Sequence, residues 1–331
     1  MGTNDSPPFQ ITPKILQLSS SVQGILGELK NTEIIKPSVK LRKQNQIQTI
    51  HHSLAIEGNT LTLDQVTAII ENKKVIGPKK ELTEVKNALA VYETLGELKP
   101  TSEKDFFKAH KILMKDLIFE AGVYRKTNVG ILKGTQVSHV APQAKLVPVL
   151  MNDLFSFLEN KTEISYLIKA CVFHYELEFI HPFADGNGRM GRLWQQLILM
   201  KHSAVFEYLS VESLIHKNQL QYYKTLETCD KAGESTAFIE FSLGLIFKAL
   251  QNFKEEFRPK KLGVTDRLAV AHNQFVQNLF SRKQYMGLFS EISTATASRD
   301  LNFGKENHIL VVQNKANATT YRFKLKLNNR I

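Results

Sequence analysis

Cysteine is almost missing from this chain. Cys171 and Cys229 are its two cysteines in 331 residues, and neither belongs to a CxxC pattern. Two lone thiols exclude a disulfide framework and predict a reducing compartment, so the cytoplasm is the expected location. Long apolar runs are missing too. No run of about 18 apolar residues occurs, so neither a membrane span nor a membrane partner is expected. The opening residues, MGTNDSPPFQ, have no basic segment followed by an apolar one, which predicts no secretory leader. There is no internal repeat and no low-complexity tract. What is present is an ordinary globular composition, 43% hydrophobic. The length suits two domains, or one larger domain with an appendage. The formal charge of +11 is uneven, because residues 248–331 hold 15 Lys or Arg against 6 Asp or Glu. A basic final third suits an anionic partner such as nucleic acid, and it suits a plain solvated surface equally well.

Helical periodicity dominates. It predicts helices over 12–30, 38–57, 82–96, 103–118, 146–159 and 163–179. Thr62 and Gln65 have the spacing of a capping box, opening a helix that runs to about Ile70. GVYRKTNVGILKGTQVSHVAPQ is rich in Gly, Val and Thr and reads as a loop or short hairpin. The helix over 163–179 is apolar almost all round, as a central buried helix should be. The Pro and Lys residues of FRPKKLG mark the best boundary. Beyond it the pattern predicts a helix over 266–281, a short helix, the segment STATASRDLNF, and a β-hairpin turning at Asn314 to Asn317.

One short string carries the chemistry: HPFADGNGRMGR, from His181 to Arg192. Pro182 pushes His181 out of helical geometry, so the preceding helix ends near Ile180. Gly186, Asn187 and Gly188 allow a turn whose N–H groups converge as an anion nest. A helix starting there adds partial positive charge. Arg189 and Arg192 are three apart and share one face of its first turns. These features describe a polyphosphate site. Asp185 would repel phosphates unless Mg²⁺ lay between them, and magnesium favours one or two carboxylates with phosphate oxygens and water. His181, at the mouth, can take a proton from an incoming hydroxyl.

At these residues the chain resembles the Fic family, whose signature HPFxDGNGRxxR is matched at every fixed position. The resemblance covers roughly residues 40–250 and includes AGVYR, TQVSHVAP and the pair Tyr222 and Tyr223. It implies a mainly α fold: a Fic-type helical bundle with a small β-hairpin flap and a C-terminal winged-helix appendage. The implied organisation is an N-terminal helical region at 1–100 with an inhibitory helix at about 44–58, a Fic core at 101–258, and a winged helix-turn-helix at 262–331. The implied activity is transfer of AMP from ATP to a hydroxyl of a target protein, on Tyr, Ser or Thr, with release of pyrophosphate. His181 would be the general base and Phe183 the anchor of the loop. Asp185 would hold Mg²⁺, and Gly186, Asn187 and Gly188 would form the anion hole. Arg189 would bind the β-phosphate and Arg192 the γ-phosphate.

HSLAIEGNT, residues 52–60, places Ser53 and Glu57 four apart on one helical face, with Gly58 suited to a C-cap. On its own it is a helix end. It also resembles the family's inhibitory motif, which implies that Glu57 pairs with Arg192 and displaces the γ-phosphate. By the same resemblance, TQVSHVAP is a flap that pairs with the target's backbone, with Val137 touching the nucleotide or target. Tyr222 and Tyr223 border the adenine, and Asp230 stands near where relatives carry Asn. ISTATASRDL resembles a recognition helix, and Arg299, Lys315 and Arg322 give it a partly basic setting, although Gly304 and its polar neighbours depart from the usual apolar spacing. DNA binding, protein docking and a homodimer all stay open for this part. Two alternatives to AMP transfer also stand: a DNA-binding regulator whose Fic core senses nucleotide, and removal of AMP at the same site with Glu57 aligning a water.

Overall fold

Helical periodicity becomes helix along most of the chain. The computed structural model describes residues 7–31, 39–133, 136–160, 163–256, 262–276, 278–289, 292–315 and 318–324. The chain divides into two compact units, Met1–Phe257 and Arg258–Ile331. The first contains α1 (Pro13–Asn31), α2 (Val39–Ile56), α3 (Leu63–Ile70), α4 (Lys79–Thr94) and α5 (Glu103–Leu113). A hairpin of β1 (Gly130–Lys133) and β2 (Gln136–Val140) follows. Then come α6 (Val147–Glu159), α7 (Tyr166–Ile180), α8 (Asn187–His202), α9 (Val211–Lys217), α10 (Gln219–Ala232) and α11 (Thr236–Glu256).

Helix ends follow local chemistry. Thr62 and Gln65 form the capping box that opens α3, each side chain bonding the other's backbone N–H. After α2, Gly58 adopts φ 89° and donates to Ala55 O, while Asn59 donates to Leu54 O. That left-handed step is cheap only for glycine. α5 stops at Leu113, short of the 118 that periodicity predicts. The reason is tertiary: Asn87 of α4 donates to the carbonyls of Leu113 and Lys115 at 3.1 and 2.7 Å, claiming groups a continuing helix would use.

At the centre of the unit lies α7, buried on every side by residues including Leu167, Cys171, Phe173, Tyr175 and Leu177. It packs against α8 and α11. Ile15, Ile50 and Val85 from the N-terminal helices share one hydrophobic core with Phe106, Phe173 and Trp194. Burial on this scale is the main force holding the helices together, at roughly 25 cal/mol per Å² of apolar surface.

The second unit has α12 (Val264–Phe275), β3 (Phe280–Ser281), α13 (Arg282–Gly287), α14 (Thr294–Glu306), β4 (Leu310–Lys315) and β5 (Ala318–Phe323). The strands form one antiparallel sheet in the order β3-β5-β4. The helix expected through 281 ends at Phe275. Val276 takes φ 47°, and Phe280 leaves the helix to pair with Tyr321. Leu268, Phe280, Tyr285, Leu301 and Phe323 make a separate core. Arg267 grips Asp300 through Nε at 2.6 Å and an NH2 nitrogen at 2.8 Å. Gly304 breaks the apolar spacing of α14 for a packing reason, since a Cβ there would sit 2.7 Å from Leu310 of β4.

Candidate active site

The loop between α7 and α8 is fastened from below. Phe183 is fully buried and stacks on His110, ring centroids 3.6 Å apart and planes 7° from parallel. It also packs on Phe106. Gly122 N–H donates to His110 Nδ1 at 2.8 Å, so the proton of that ring must sit on Nε2, which bonds Asp185 O at 2.9 Å. This neutral tautomer agrees with a pKa that burial lowers to about 4. Asn187 closes the loop with two bonds to the Phe183 backbone, at 2.9 and 3.0 Å. Its side chain is therefore taken up in holding the loop.

Arg125 holds the other flank. Its Nε donates to His181 O at 2.7 Å, its NH1 nitrogen to Thr127 O, and its NH2 nitrogen to Pro142 O and Ile180 O. Its own N–H donates to Pro182 O. A buried guanidinium spent on carbonyls has the purpose of fixing backbone. It ties the loop between α7 and α8 to both ends of the hairpin region. His110 and Arg125 were not singled out from sequence. Arg125 lay inside the AGVYR resemblance without a role, and nothing near His110 marks it.

His181 follows α7 with φ 50° and ψ 59°, a left-handed conformation uncommon for a residue with a side chain. That turn brings Nδ1 to 3.3 Å from Glu178 O. A carbonyl can only accept, so Nδ1 carries the proton and the basic lone pair lies on Nε2. Gly186 takes φ 87°, and a Cβ there would strike Met114 Sδ at 2.7 Å. Its N–H donates to Asp185 Oδ1 at 2.6 Å, and its left-handed φ supplies the bend. The first intrahelical bond of α8 runs from Met190 N–H to Gly186 O. The N–H groups of Asn187, Gly188 and Arg189 thus have no intrahelical acceptor, as at any helix start.

The two arginines are both buried but differently held. Arg189 lies between Asp185, at 3.1 Å, and Glu84, at 3.4 Å. Its Nε has no acceptor among the described residues. Arg192 is 2% exposed. It donates through Nε to Ser53 Oγ at 3.1 Å and through its NH2 nitrogen to Ser53 O at 3.0 Å and Glu57 Oε1 at 2.6 Å. Burial disfavours its charge, but Glu57, Tyr222 and Glu178 outweigh this and raise its pKa. Gly188 makes the approach of Glu57 feasible, since a Cβ there would lie 2.5 Å from Glu57 Oε1.

The remaining expected residues are more scattered. Tyr222 is 1% exposed, and its hydroxyl donates to Glu178 Oε1 at 2.9 Å. Tyr223 reaches the surface at 39% exposure, with its hydroxyl on Ile56 O at 3.2 Å. Asp230 accepts from the Tyr175 hydroxyl. Val137 lies in β2 opposite Leu132, and its side chain falls outside the described residues. In the second unit Arg299 and Arg322 are exposed, on α14 and β5, while the Lys315 side chain lies outside the described residues. Among the described residues, no helix is long and apolar enough to cross a membrane.

Comparison with known proteins places these features in a family. Residues 100–199 match the Fic/DOC family. A crystal structure of a Fic family protein from Desulfovibrio desulfuricans G20 is 39% identical, with a TM-score of 0.73, over 98% of this chain and 100% of that one. Protein adenylyltransferase Fic of Nematostella vectensis is 32% identical over 248 residues, 69% of this chain and 55% of that protein. Protein adenylyltransferase fic-1 of Caenorhabditis elegans is 29% identical over 233 residues, 67% of this chain and 44% of that protein. The chain thus spans about half the length of these two relatives.

Proposed function

Since the chain belongs to the Fic family, we propose that it is a cytoplasmic protein adenylyltransferase that moves AMP from ATP to a hydroxyl side chain of a target protein. One arrangement carries this reading: an imidazole with its lone pair on Nε2 beside a helix start whose N–H groups have no intrahelical acceptor. The relatives named adenylyltransferase support it. In the proposed reaction His181 Nε2 takes the proton of the target hydroxyl as its oxygen bonds to the α-phosphorus. The bond from that phosphorus to the bridging oxygen breaks, and pyrophosphate leaves. The chain's part is to position the reactants and balance charge. The N–H groups at the start of α8 would face the phosphates, with Arg189 on the β-phosphate and Arg192 on the γ-phosphate.

Asp185 would hold Mg²⁺. Its carboxylate is half-exposed at the mouth of the nest. No cluster of three His, Cys, Asp or Glu that could hold a metal occurs among the described residues. Magnesium beside phosphates takes only one or two carboxylates, and Asp185 would supply one. When bound it would neutralise phosphate charge. The β1–β2 hairpin would present the target segment by strand pairing, and Tyr222 and Tyr223 would border the adenine. The protein is autoinhibited in this reading, because Glu57 occupies the arginine needed for the γ-phosphate. The C-terminal unit would be a winged helix serving DNA, protein docking or a homodimer.

Incubation with labelled ATP and Mg²⁺ tests the reading. Label should appear on protein, in the Glu57→Gly variant above all, and vanish in His181→Ala or with excess EDTA. Nucleotide binding with no transfer by any variant would favour the nucleotide-sensing regulator instead.

A further inference from the structure

Glu178 is a largely buried carboxylate beside the site, with its side chain 13% exposed, that neither α2 nor the proposed phosphate chemistry accounts for. It lies on α7, three residues before His181, and its carbonyl accepts from His181 Nδ1. Its carboxylate is close enough to His181 to interact with it electrostatically. Tyr222 donates to Oε1 at 2.9 Å, and His174 Nε2 stands 3.8 Å from the same oxygen. Oε1 would also lie 3.3 Å from a Cβ on Gly188, so it borders the start of α8. The ionisable groups acting around it are His174 and His181 from the α7 side, Arg192 from α8, Tyr222 and Tyr223 from α10, and Glu57 after α2. Burial alone would push a proton onto Glu178. His174, Arg192 and His181 together reverse this and hold its pKa below the ordinary carboxylate range.

We infer that Glu178 is a positioning residue for the proposed transfer: its carbonyl fixes the tautomer of His181, and its fixed carboxylate stabilises the imidazolium formed when His181 takes the hydroxyl proton. The inference rests on the adenylyltransferase reading. Glu57 cannot fill this role, because it must move for the γ-phosphate to reach Arg192. Glu178 is anchored on the central helix and stays. The tautomer comes from the backbone and survives any substitution at this position, so the charge can be tested separately. A negative charge near an imidazole favours the protonated ring, and removing it lowers the pKa of that ring. The acid limb of the rate profile should then move to lower pH, while the weaker base slows the step.

The test is an NMR titration of histidine-labelled protein, with the His181 signal identified by its loss in His181→Asn. In Glu178→Gln, which keeps an oxygen for the Tyr222 hydroxyl, the His181 pKa should fall by about half a unit or more. Glu178→Asp, which keeps the charge, should restore most of that shift. In the Glu57→Gly background, Glu178→Gln should cut kcat about 3- to 10-fold and move the acid limb down with it. An unchanged His181 titration in Glu178→Gln overturns the inference, as does an equal shift in Glu178→Asp. A shifted titration with unchanged kcat overturns it as well. Absence of transfer in the Glu57→Gly parent sinks the adenylyltransferase reading alone, since the titration needs no transfer and still decides the role of Glu178.

Discussion

Replacing Glu57 with Gly should make the protein faster and less stable at once. Arg192 is nearly inaccessible, and its charge is shared among Ser53, Glu57 and the nearby Glu178. A hydrogen bond to a charged partner contributes about 1.5–3 kcal/mol. Glu57 is 34% exposed, so part of that is lost to solvent screening. A net value of about 2 kcal/mol for the closed arrangement corresponds to roughly 30-fold in population. Glu57→Gly should therefore raise autoadenylylation by about 10- to 100-fold under one Mg²⁺-ATP condition. The same change leaves a buried guanidinium with fewer partners, which should lower the melting midpoint by roughly 4–8 °C, taking about 2–4 °C per kcal/mol for a unit this large. Trp194, the single tryptophan, is buried in the core and reports unfolding by fluorescence. Arg192→Ala breaks the same pair but removes the cation proposed for the γ-phosphate, so it should show no gain. The double variant should behave like Arg192→Ala. A Glu57→Gly protein no faster than wild type would refute the regulatory argument, leaving HSLAIEGNT as a helix end only.

Three further outcomes are expected. Arg125→Ala should reduce transfer at least tenfold while ATP binding is largely kept, because it loosens the backbone at His181 and Pro182 and leaves the phosphate groups in place; equal kcat in the two proteins counts against the clamp. Asp185→Asn should raise the Mg²⁺ concentration needed for half-maximal transfer, and an unchanged metal dependence would remove Asp185 as the ligand. His110 has a folded pKa of about 4, below the ordinary value of 6.5, so the fold favours its neutral ring. Its contribution is fully present above about pH 6.5 and fades as pH falls toward 4, at most about 3 kcal/mol. Denaturant midpoints should fall across that window in wild type and vary less in His110→Gln. Parallel curves would show that another group governs the acid transition.

Much of this protein was legible because its determinants are close together in sequence. The capping box at Thr62, the left-handed Gly58 and the bend at Gly186 depend on a few consecutive residues, and backbone sterics decide them wherever they occur. The run HPFADGNGRMGR likewise carries its own turn, helix start and charges. The all-round apolar pattern of α7 identified a central helix, since burial on every face leaves no polar stripe. Other features were settled by packing between distant segments. Periodicity could not stop α5 at Leu113, because the carbonyl partners belong to Asn87. It could not turn Phe280 into a strand, because the partner is Tyr321. The contact of Glu57 with Arg192 spans 135 positions, and the resemblance, not the spacing, suggested it. His110 and Glu178 carry no local signal, and Arg125 falls within AGVYR with no role attached to it. They come to the loop between α7 and α8 only where folding has brought a guanidinium, an imidazole and a carboxylate within hydrogen-bond or Coulombic reach of it, and such distances are a property of the packed core.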